Sequence, residues 1–305
     1  MNRAQSGRRD ASASTARGES TAQSGTVAVA PHRREARRIQ ASQGWRALDL
    51  AELWAYRELI YFLAWRDVKV RYRQTALGVI WAILQPVAAM AIFTVFLGNI
   101  IGSPSGEVPY AVFALSGLVP WTYFANAATN SSSSLVANTN LVSKVYFPRL
   151  AIPLSAVLSG LVDFGVGFVL VLSLVVVYRV PIGASLLLMP VVVILAILTA
   201  TSVGIWLSAL DVQYRDVRYA FPFFIQVWMF ATPVIYPASV LREDARALLG
   251  LNPMVAVVEG FRWALLGESH VSAALIVGSM LTMLLILTTG LLYFRRMERR
   301  FADVI

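Results

Sequence analysis

Hydrophobic residues in this chain are gathered into six long runs separated by short polar stretches. The runs cover residues 76–101, 110 to about 128, 150–178, 186–210, 219 to about 235, and 271–294. As a helix, the first run would be about 39 Å long at roughly 1.5 Å per residue, which is enough to cross a hydrocarbon layer of about 30 Å. The pattern therefore predicts an all-α membrane protein with six transmembrane helices per subunit in a transmembrane domain at 75–294.

The residues before the first run form two different segments. Residues 1–44 are rich in Ser, Ala, Arg, Gln and Gly without apolar periodicity, which predicts a disordered basic tail. Within a segment at 45–74, apolar residues then recur at helical spacing: Leu53, Tyr56, Ile60 and Leu63. We expect an amphipathic helix in the plane of the membrane interface. A helix that packs against protein is the alternative.

Basic residues are distributed unevenly between the two sides of the predicted spans. By loop, 22 lysines and arginines fall on one side and four on the other. The positive-inside rule places the first side, with both termini and a basic tail at 295–305, in the cytoplasm. The chain has a net charge of +9, and its basic residues cluster beside apolar runs. Anionic lipid headgroups are therefore favoured over nucleic acid as the partner of these residues.

Two short loops on the basic side are unusual. Residues 138–149 read NTNLVSKVYFPR, with a possible short helix, and residues 211–218 read DVQYRDVR. Either loop can dock a soluble partner, or both are simple positive-inside anchors. On the other side, the long segment 236–270 is mostly apolar from 248 to 266 and is broken at Asn252 and Pro253. It predicts a re-entrant external segment in which Glu259 and Arg262 pair; an extra pair of spans is the alternative.

Candidate chemistry inside the spans is sparse. Neither lysine lies in a phosphate-binding loop and the two histidines are far apart, so no catalytic or metal-binding residue is expected. Asp163 is the one acid well inside a run, in a functional or a structural role, with Ser159 as a candidate hydrogen-bond partner. Phe221, Phe224 and Trp228 share a helical face that can stack on sugar rings, although packing or an interfacial belt explains such aromatics equally well.

Four stretches of the sequence resemble a known family. They are LIYFLAWRDVKVRYRQTALGVIWAILQPVAAMAIFTVFLG, LVSKVYFPRLAIPLS, DVQYRDVRYAFPFFIQVWMFATPVIYP and LNPMVAVVEGFRWALLG. In this order they resemble the permeases of type-2 ABC exporters that move O-antigen, capsular polysaccharide or teichoic acid. The resemblance implies a homodimer in the bacterial inner or plasma membrane, joined by two copies of an ABC ATPase subunit that binds ATP and Mg. It implies no cofactor on this chain and no enzymatic activity of its own.

The resemblance also implies roles for particular residues. A channel lined by the first and fifth spans would use Trp81, Gln85, Phe221, Phe224 and Trp228. The diphosphate of a lipid-linked glycan would meet Arg66, Lys69, Arg71 and Arg73, where the amphipathic helix forms a cytoplasmic gate. Coupling to the ATPase would involve Val142, Ser143, Lys144, Val145, Tyr146, Tyr214, Arg215 and Asp216. The external gate would contain Asn252, Pro253, Glu259 and Arg262.

Two other functions remain open at this stage. The same architecture can export a drug, a peptide or a lipid instead of a glycan. A membrane-embedded enzyme that processes glycans is a second alternative, and it would need no ATPase; the lack of clustered acids or histidines in the sequence argues against it.

Overall fold

The computed structural model describes residues 50–73, 78–98, 108–267, 271–298 and 301. Within them every regular element is helical, which confirms the predicted all-α class. The α-helices are α1 (Leu50–Ala55), α2 (Arg57–Arg73), α3 (Gly78–Phe96), α4 (Tyr110–Ala137), α5 (Thr139–Lys144), α6 (Ala151–Ser159), α7 (Leu161–Val177), α8 (Met189–Gln213), α9 (Val217–Phe230), α10 (Glu243–Leu248), α11 (Pro253–Leu266) and α12 (Ala273–Glu298). Short 3₁₀ turns cover Ala184–Leu188, Ala238–Val240 and Leu249–Leu251. The predicted tail at 1–44 lies outside the described residues, as do 299–300 and 302–305 of the predicted C-terminal tail.

Each of the six predicted runs contains a helix, but several boundaries differ. The second run continues as helix to Ala137. The third is interrupted at Gly160, which separates α6 from α7. The fifth ends at Phe230, and Pro233 just beyond it cannot donate a helical hydrogen bond. Helix α12 continues past residue 294 to Glu298.

Among the residues that the structure describes, length and composition single out three helical stretches as able to cross a membrane. They are Ala151–Val177, Ala184–Gln213 and Ala273–Glu298, with mean hydropathy of 2.5, 2.6 and 2.2. Ile80–Phe96 is a shorter apolar helix. Helix α4 is long enough at 28 residues, but its second half contains the polar sequence NAATNSSSS, which lowers its hydropathy. The six-span arrangement therefore stays a prediction.

Helices α4 and α8 form the centre of the subunit. Helix α4 packs against α3, α6, α7, α9 and α11, and α8 packs against α6, α11, α12 and α4 itself. Buried serines allow these helices to approach closely, as is common among helices in membranes. Ser131 of α4, for example, donates a 3.1 Å hydrogen bond to the carbonyl of Pro153 in α6. The central pair thus connects the two ends of the subunit.

The apolar stripe of the N-terminal segment packs against protein. Ile60 and Leu63 are buried in a cluster with Ile152 of α6, Val142 of α5 and Phe301. The opposite side of the segment exposes four aromatic rings: Trp54, Tyr61, Phe62 and Trp65. The stripe therefore follows the packing alternative, while the exposed rings suit the predicted position at a membrane interface.

Candidate functional site

A cavity of about 340 Å³ opens between α3, α4 and α7 and is closed at one end by the last residues of α2. Its lining follows helical spacing on each element. Helix α3 contributes Trp81 and Gln85, helix α4 contributes residues 119, 122, 123, 126 and 130, and helix α7 contributes residues 163, 164 and 167. Polar side chains surround the α2 end, and Val119, Phe164 and Gly167 form an apolar floor. We call this space the Arg71 cavity.

An ion pair crosses the mouth of the Arg71 cavity. The Arg71 guanidinium donates from Nη1 to Oδ2 of Asp163, and the Tyr72 hydroxyl donates to Oδ1 of the same carboxylate. The side chains of Arg71 and Asp163 are 32% and 20% exposed. Burial, together with the hydrogen bond to Asp163, raises the pKa of Tyr72 to about 12, so the phenol remains a donor at neutral pH. The ion pair thus fastens α2 to α7.

The prediction that Ser159 is the hydrogen-bond partner of Asp163 is wrong. Ser159 instead donates a 2.8 Å hydrogen bond to the carbonyl of Ala156 in its own helix. A hydroxyl inside a helix can reach the carbonyl three or four residues back, which satisfies it locally. The Asp163 carboxylate is therefore held by α2 and not by its own helical segment.

A buried cluster around Arg262 lies at the opposite end of α4. The guanidinium donates to Glu259 Oε1 at 2.8 Å and to the carbonyl of Pro233 at 2.6 Å, and it also donates to the carbonyl of Val234. Its Cζ lies 3.8 Å from the centroid of the Phe113 ring. Arg262 and Glu259 are essentially inaccessible to solvent. The predicted pairing of these two residues is confirmed, and the pair also ties α11 to the segment after α9.

Asn252 makes a second tie in the same region. Its Oδ1 accepts from the backbone N–H of Met254 at 3.0 Å and from the Trp228 indole at 3.1 Å, and its Nδ2 donates to Thr232 Oγ1 at 2.8 Å. Asn252 is thus the N-cap of α11, followed by Pro253 at the first helical position. One amide therefore fixes the start of α11 against the end of α9.

Residues 58–266, more than half of the chain, match the family model described as "ABC-2 type transporter". The chain belongs to the ABC-2 type transporter family. It is 32% identical over 213 residues to the O-antigen export system permease protein RfbA of Myxococcus xanthus, covering 69% of this chain and 81% of that protein. It is 28% identical over 254 residues to a protein of the same name from Klebsiella pneumoniae, covering 81% and 95%. It is 24% identical over 202 residues to the polysialic acid transport protein KpsM of Escherichia coli, covering 66% and 78%.

In this ABC-2 type transporter, the four basic residues at the end of α2 do not form one cluster. Arg66 is bound to Asp67 at 2.8 Å and to Asn138 Oδ1 at 2.9 Å. Lys69 lies 5.7 Å from the centroid of the Trp65 ring. Arg71 enters the cavity, whereas Arg73 is exposed. Positions 66, 69 and 73 share a helical face that position 71 does not.

The predicted channel residues also separate. Phe221 is buried, and Trp228 packs edge-on against Phe124 with 5.2 Å between ring centroids. Phe224 is 60% exposed, and Trp81 is 55% exposed at the wall of the Arg71 cavity beside Gln85. The expectation that Phe221, Phe224 and Trp228 form one exposed aromatic face is therefore wrong. Phe221 and Trp228 pack inside the subunit, because α4 lies on that side of α9, and Phe224 alone of the three is exposed.

The two predicted coupling segments are mostly exposed. Val142 is buried and anchors α5, the Ser143 hydroxyl donates to the carbonyl of Thr139, and Lys144 follows at the helix end. Val145 and Tyr146 are exposed, Tyr146 at 75%. In the second segment Tyr214, Arg215 and Asp216 are exposed. Arg218 Nη2 reaches the buried Asp211 carboxylate at 3.1 Å, a contact that the sequence did not suggest.

Three polar residues of the cavity were missed in the sequence. Thr122, Asn126 and Asn130 of α4 line the space, and they recur every four residues. Thr122 and Asn126 lie in the run predicted to cross the membrane, where unpartnered amides are rare, and Asn130 follows just beyond its predicted end at about residue 128. The serines and threonines around them masked this spacing, because such hydroxyls usually bond to their own helix.

Proposed function

We propose that the chain is the membrane-spanning permease subunit of an ATP-driven ABC exporter that moves a lipid-linked polysaccharide. The observation that carries this proposal is the similarity to the O-antigen export permease of Klebsiella pneumoniae, which extends over 95% of that relative. The Myxococcus xanthus relative of the same name and the polysialic acid transport protein support the same class of cargo. Because the similarity extends over nearly the whole relative, it reaches well beyond a single motif.

We further propose that two copies assemble around a channel between α3 and α9. Both helices expose large apolar side chains that the subunit itself does not cover, including Ile92 and Phe96 on α3 and Phe223 and Phe224 on α9. Surface of this kind must face lipid or another subunit. In the dimer, Phe224 offers an open aromatic face to sugar rings, whereas Phe221 and Trp228 support α9 from behind.

The nucleotide cycle in this proposal belongs to two copies of a separate ATPase subunit, which bind ATP and Mg. Helix α5 with Val145 and Tyr146, and the segment from Tyr214 to Asp216, supply its docking surface. Their exposed rings and charges suit a protein contact. The subunit crosses a bacterial inner membrane six times in this proposal. The docking surface and both termini lie on the cytoplasmic side.

At the other end, Asn252, Pro253, Glu259 and Arg262 belong to an external gate formed by a re-entrant α11. The support is the pair of ties from α11 to the end of α9. Lys69 and Arg73, which remain exposed on α2, are the residues we propose to meet the lipid diphosphate.

Reconstitution with an ATPase subunit tests this function. We expect proteoliposomes containing the permease and its ABC ATPase subunit to move a lipid-linked glycan when ATP is added. An ATPase variant that cannot hydrolyse ATP serves as the control. ATP hydrolysis without glycan movement, but with efflux of a drug, a peptide or a lipid, would replace the cargo assigned here. Glycan turnover by the permease alone would show an enzyme instead.

A further inference from the structure

Four polar side chains that line the Arg71 cavity, outside the Arg71–Asp163–Tyr72 contact, lack protein partners. Within the part of the chain that the structure describes, Gln85, Thr122, Asn126 and Asn130 line the cavity and none of their side chains makes a hydrogen bond. Helix α4 alone contributes three of them at spacings of four residues, which forms a line of about 12 Å at 1.5 Å per residue. Gln85, Asn126 and Asn130 are exposed, so their amide groups are available to a polar molecule in the cavity.

The charges of the cavity select against an ionic occupant. Asp163 accepts from Arg71 and from the Tyr72 hydroxyl, so both of its oxygens are engaged and the pair has no net charge. A phosphate would meet the Asp163 carboxylate, and a cation would meet the Arg71 guanidinium. Side-chain amides donate and accept equally well, which matches hydroxyl groups. The occupant is therefore neutral and rich in hydroxyls.

The size and shape of the cavity narrow the occupant further. Its volume of about 340 Å³ corresponds to roughly eleven water molecules at about 30 Å³ each. One hexose ring, whose heavy atoms are covalently bonded and closely spaced, therefore fits with space left for bound water. The exposed Trp81 indole on the wall offers an apolar face of the kind that stacks on a pyranose ring. The floor formed by Val119, Phe164 and Gly167 is apolar, so it can pack against the C–H groups of a sugar ring.

We infer that the Arg71 cavity is a binding site within each subunit for one neutral sugar unit of a lipid-linked glycan, separate from the channel between subunits. This inference rests on the proposed function for its choice of a sugar over other hydroxylated head groups. Asn126 and Asn130 bind the sugar hydroxyls, Trp81 stacks on the ring, and the Arg71–Asp163 pair closes the mouth.

Binding of defined lipids to the permease–ATPase complex tests the inference. The probe is a short prenyl diphosphate that carries one hexose, and the comparison ligand is the same prenyl diphosphate without the sugar, both added to complexes in phosphatidylcholine nanodiscs without ATP. We expect the wild-type complex to prefer the sugar-bearing probe. Asn126→Leu and Asn130→Leu each remove one amide at nearly constant volume and should reduce that preference about fivefold. Ser133→Ala is the matched control, since its hydroxyl on the same helix bonds only to its own helix.

Three outcomes would overturn the inference. If the Asn126→Leu/Asn130→Leu double variant keeps the wild-type preference, the amides are merely hydrated. If the variants lose both ligands equally, the residues have a structural role. If phosphatidylglycerol displaces the probe at equal concentration, the cavity holds an ordinary lipid head group. ATP-driven glycan export by the same wild-type complex separates these results from a failure of the proposed function, because export without a sugar preference removes only this site.

Discussion

The Arg71–Asp163 ion pair holds α2 against α7, and this structural role can be tested against the alternative that Arg71 only helps to orient the chain in the membrane. Arg71→Gln removes the cation of the Arg71–Asp163 pair, while Arg73→Gln removes a cation two residues away that has no ion pair in the described part of the chain. Both substitutions delete one positive charge from the same basic segment at the end of α2. If the basic residues act only as positive-inside anchors, their effects should be equal.

The expected size of the effect follows from the burial of the pair. An exposed ion pair contributes at most about 1 kcal/mol, and breaking a buried one costs about 3–5 kcal/mol. With 32% and 20% of the two side chains exposed, and with Tyr72 still donating to the carboxylate, we expect Arg71→Gln to destabilise by about 1–2 kcal/mol. Arg73→Gln should change stability by less than about 0.5 kcal/mol.

Thermal unfolding of the purified permease in detergent, followed by size-exclusion chromatography, measures the difference. A charge swap, Arg71→Asp with Asp163→Arg, should recover part of the loss, since opposite charges again face each other. Equal melting temperatures for Arg71→Gln and Arg73→Gln would refute the claim that the ion pair holds α2 against α7. So would a charge-swap variant that melts no higher than its single variants.

The Tyr72 hydroxyl adds a dependence on pH to the same contact. Its pKa of about 12 in the folded protein exceeds the ordinary value of 10.0, so the folded state holds the phenolic proton more tightly than the unfolded state. The resulting stabilisation is complete below pH 10 and is lost as pH rises toward 12. Phenolate absorbance should therefore differ between the wild type and Tyr72→Phe only above pH 11.

Substitutions at four further positions test packing at the opposite end of α4 and along α9. Gly117→Ala would bring a Cβ into collision with the carbonyl oxygen of Val234, and we expect it to lower stability by about 1–3 kcal/mol in a melting assay. Asn252→Ala removes an N-cap and three further hydrogen bonds of the side chain, so a loss of about 2 kcal/mol is expected, less for Asn252→Ser. Phe224→Ala should slow glycan export at unchanged melting temperature, whereas Trp228→Ala should lower both; equal melting temperatures for these two would contradict the assigned packing.

Contacts between residues close in sequence could be predicted well. Glu259 and Arg262 lie three apart in a segment that reads as a helix, and this spacing was enough to predict that they pair. The helical class and the short helix after α4 followed from the same kind of local pattern. The break at Gly160 did not, because a single glycine inside an apolar run is compatible with a continuous helix.

Contacts between distant residues could not be predicted in this way. Arg71 and Asp163 are 92 positions apart, and each had a plausible local explanation, as an anchor and as a partner of Ser159. The inward direction of Trp228 depends on where α4 passes, which no periodicity of α9 encodes. Such assignments need the packing of several helices to be known first.

Helix α4 joins the two ends of the subunit and so limits how motion can pass between them. At one end Tyr110 donates to the carbonyl of Ile235 at 2.6 Å, and Phe113 lies under Arg262. At the other end α4 lines the Arg71 cavity and is followed, after Asn138 alone, by α5. The N–H of Asn138 closes the last turn of α4, while its carbonyl accepts from Leu141 and Val142. Because no flexible linker separates α4 from α5, we expect a displacement of α5 at the proposed ATPase contact to move the adjoining part of α4 and to reach the cavity. Pro120 lies inside α4 and interrupts its hydrogen bonding, so the Arg262 cluster beyond it can move separately.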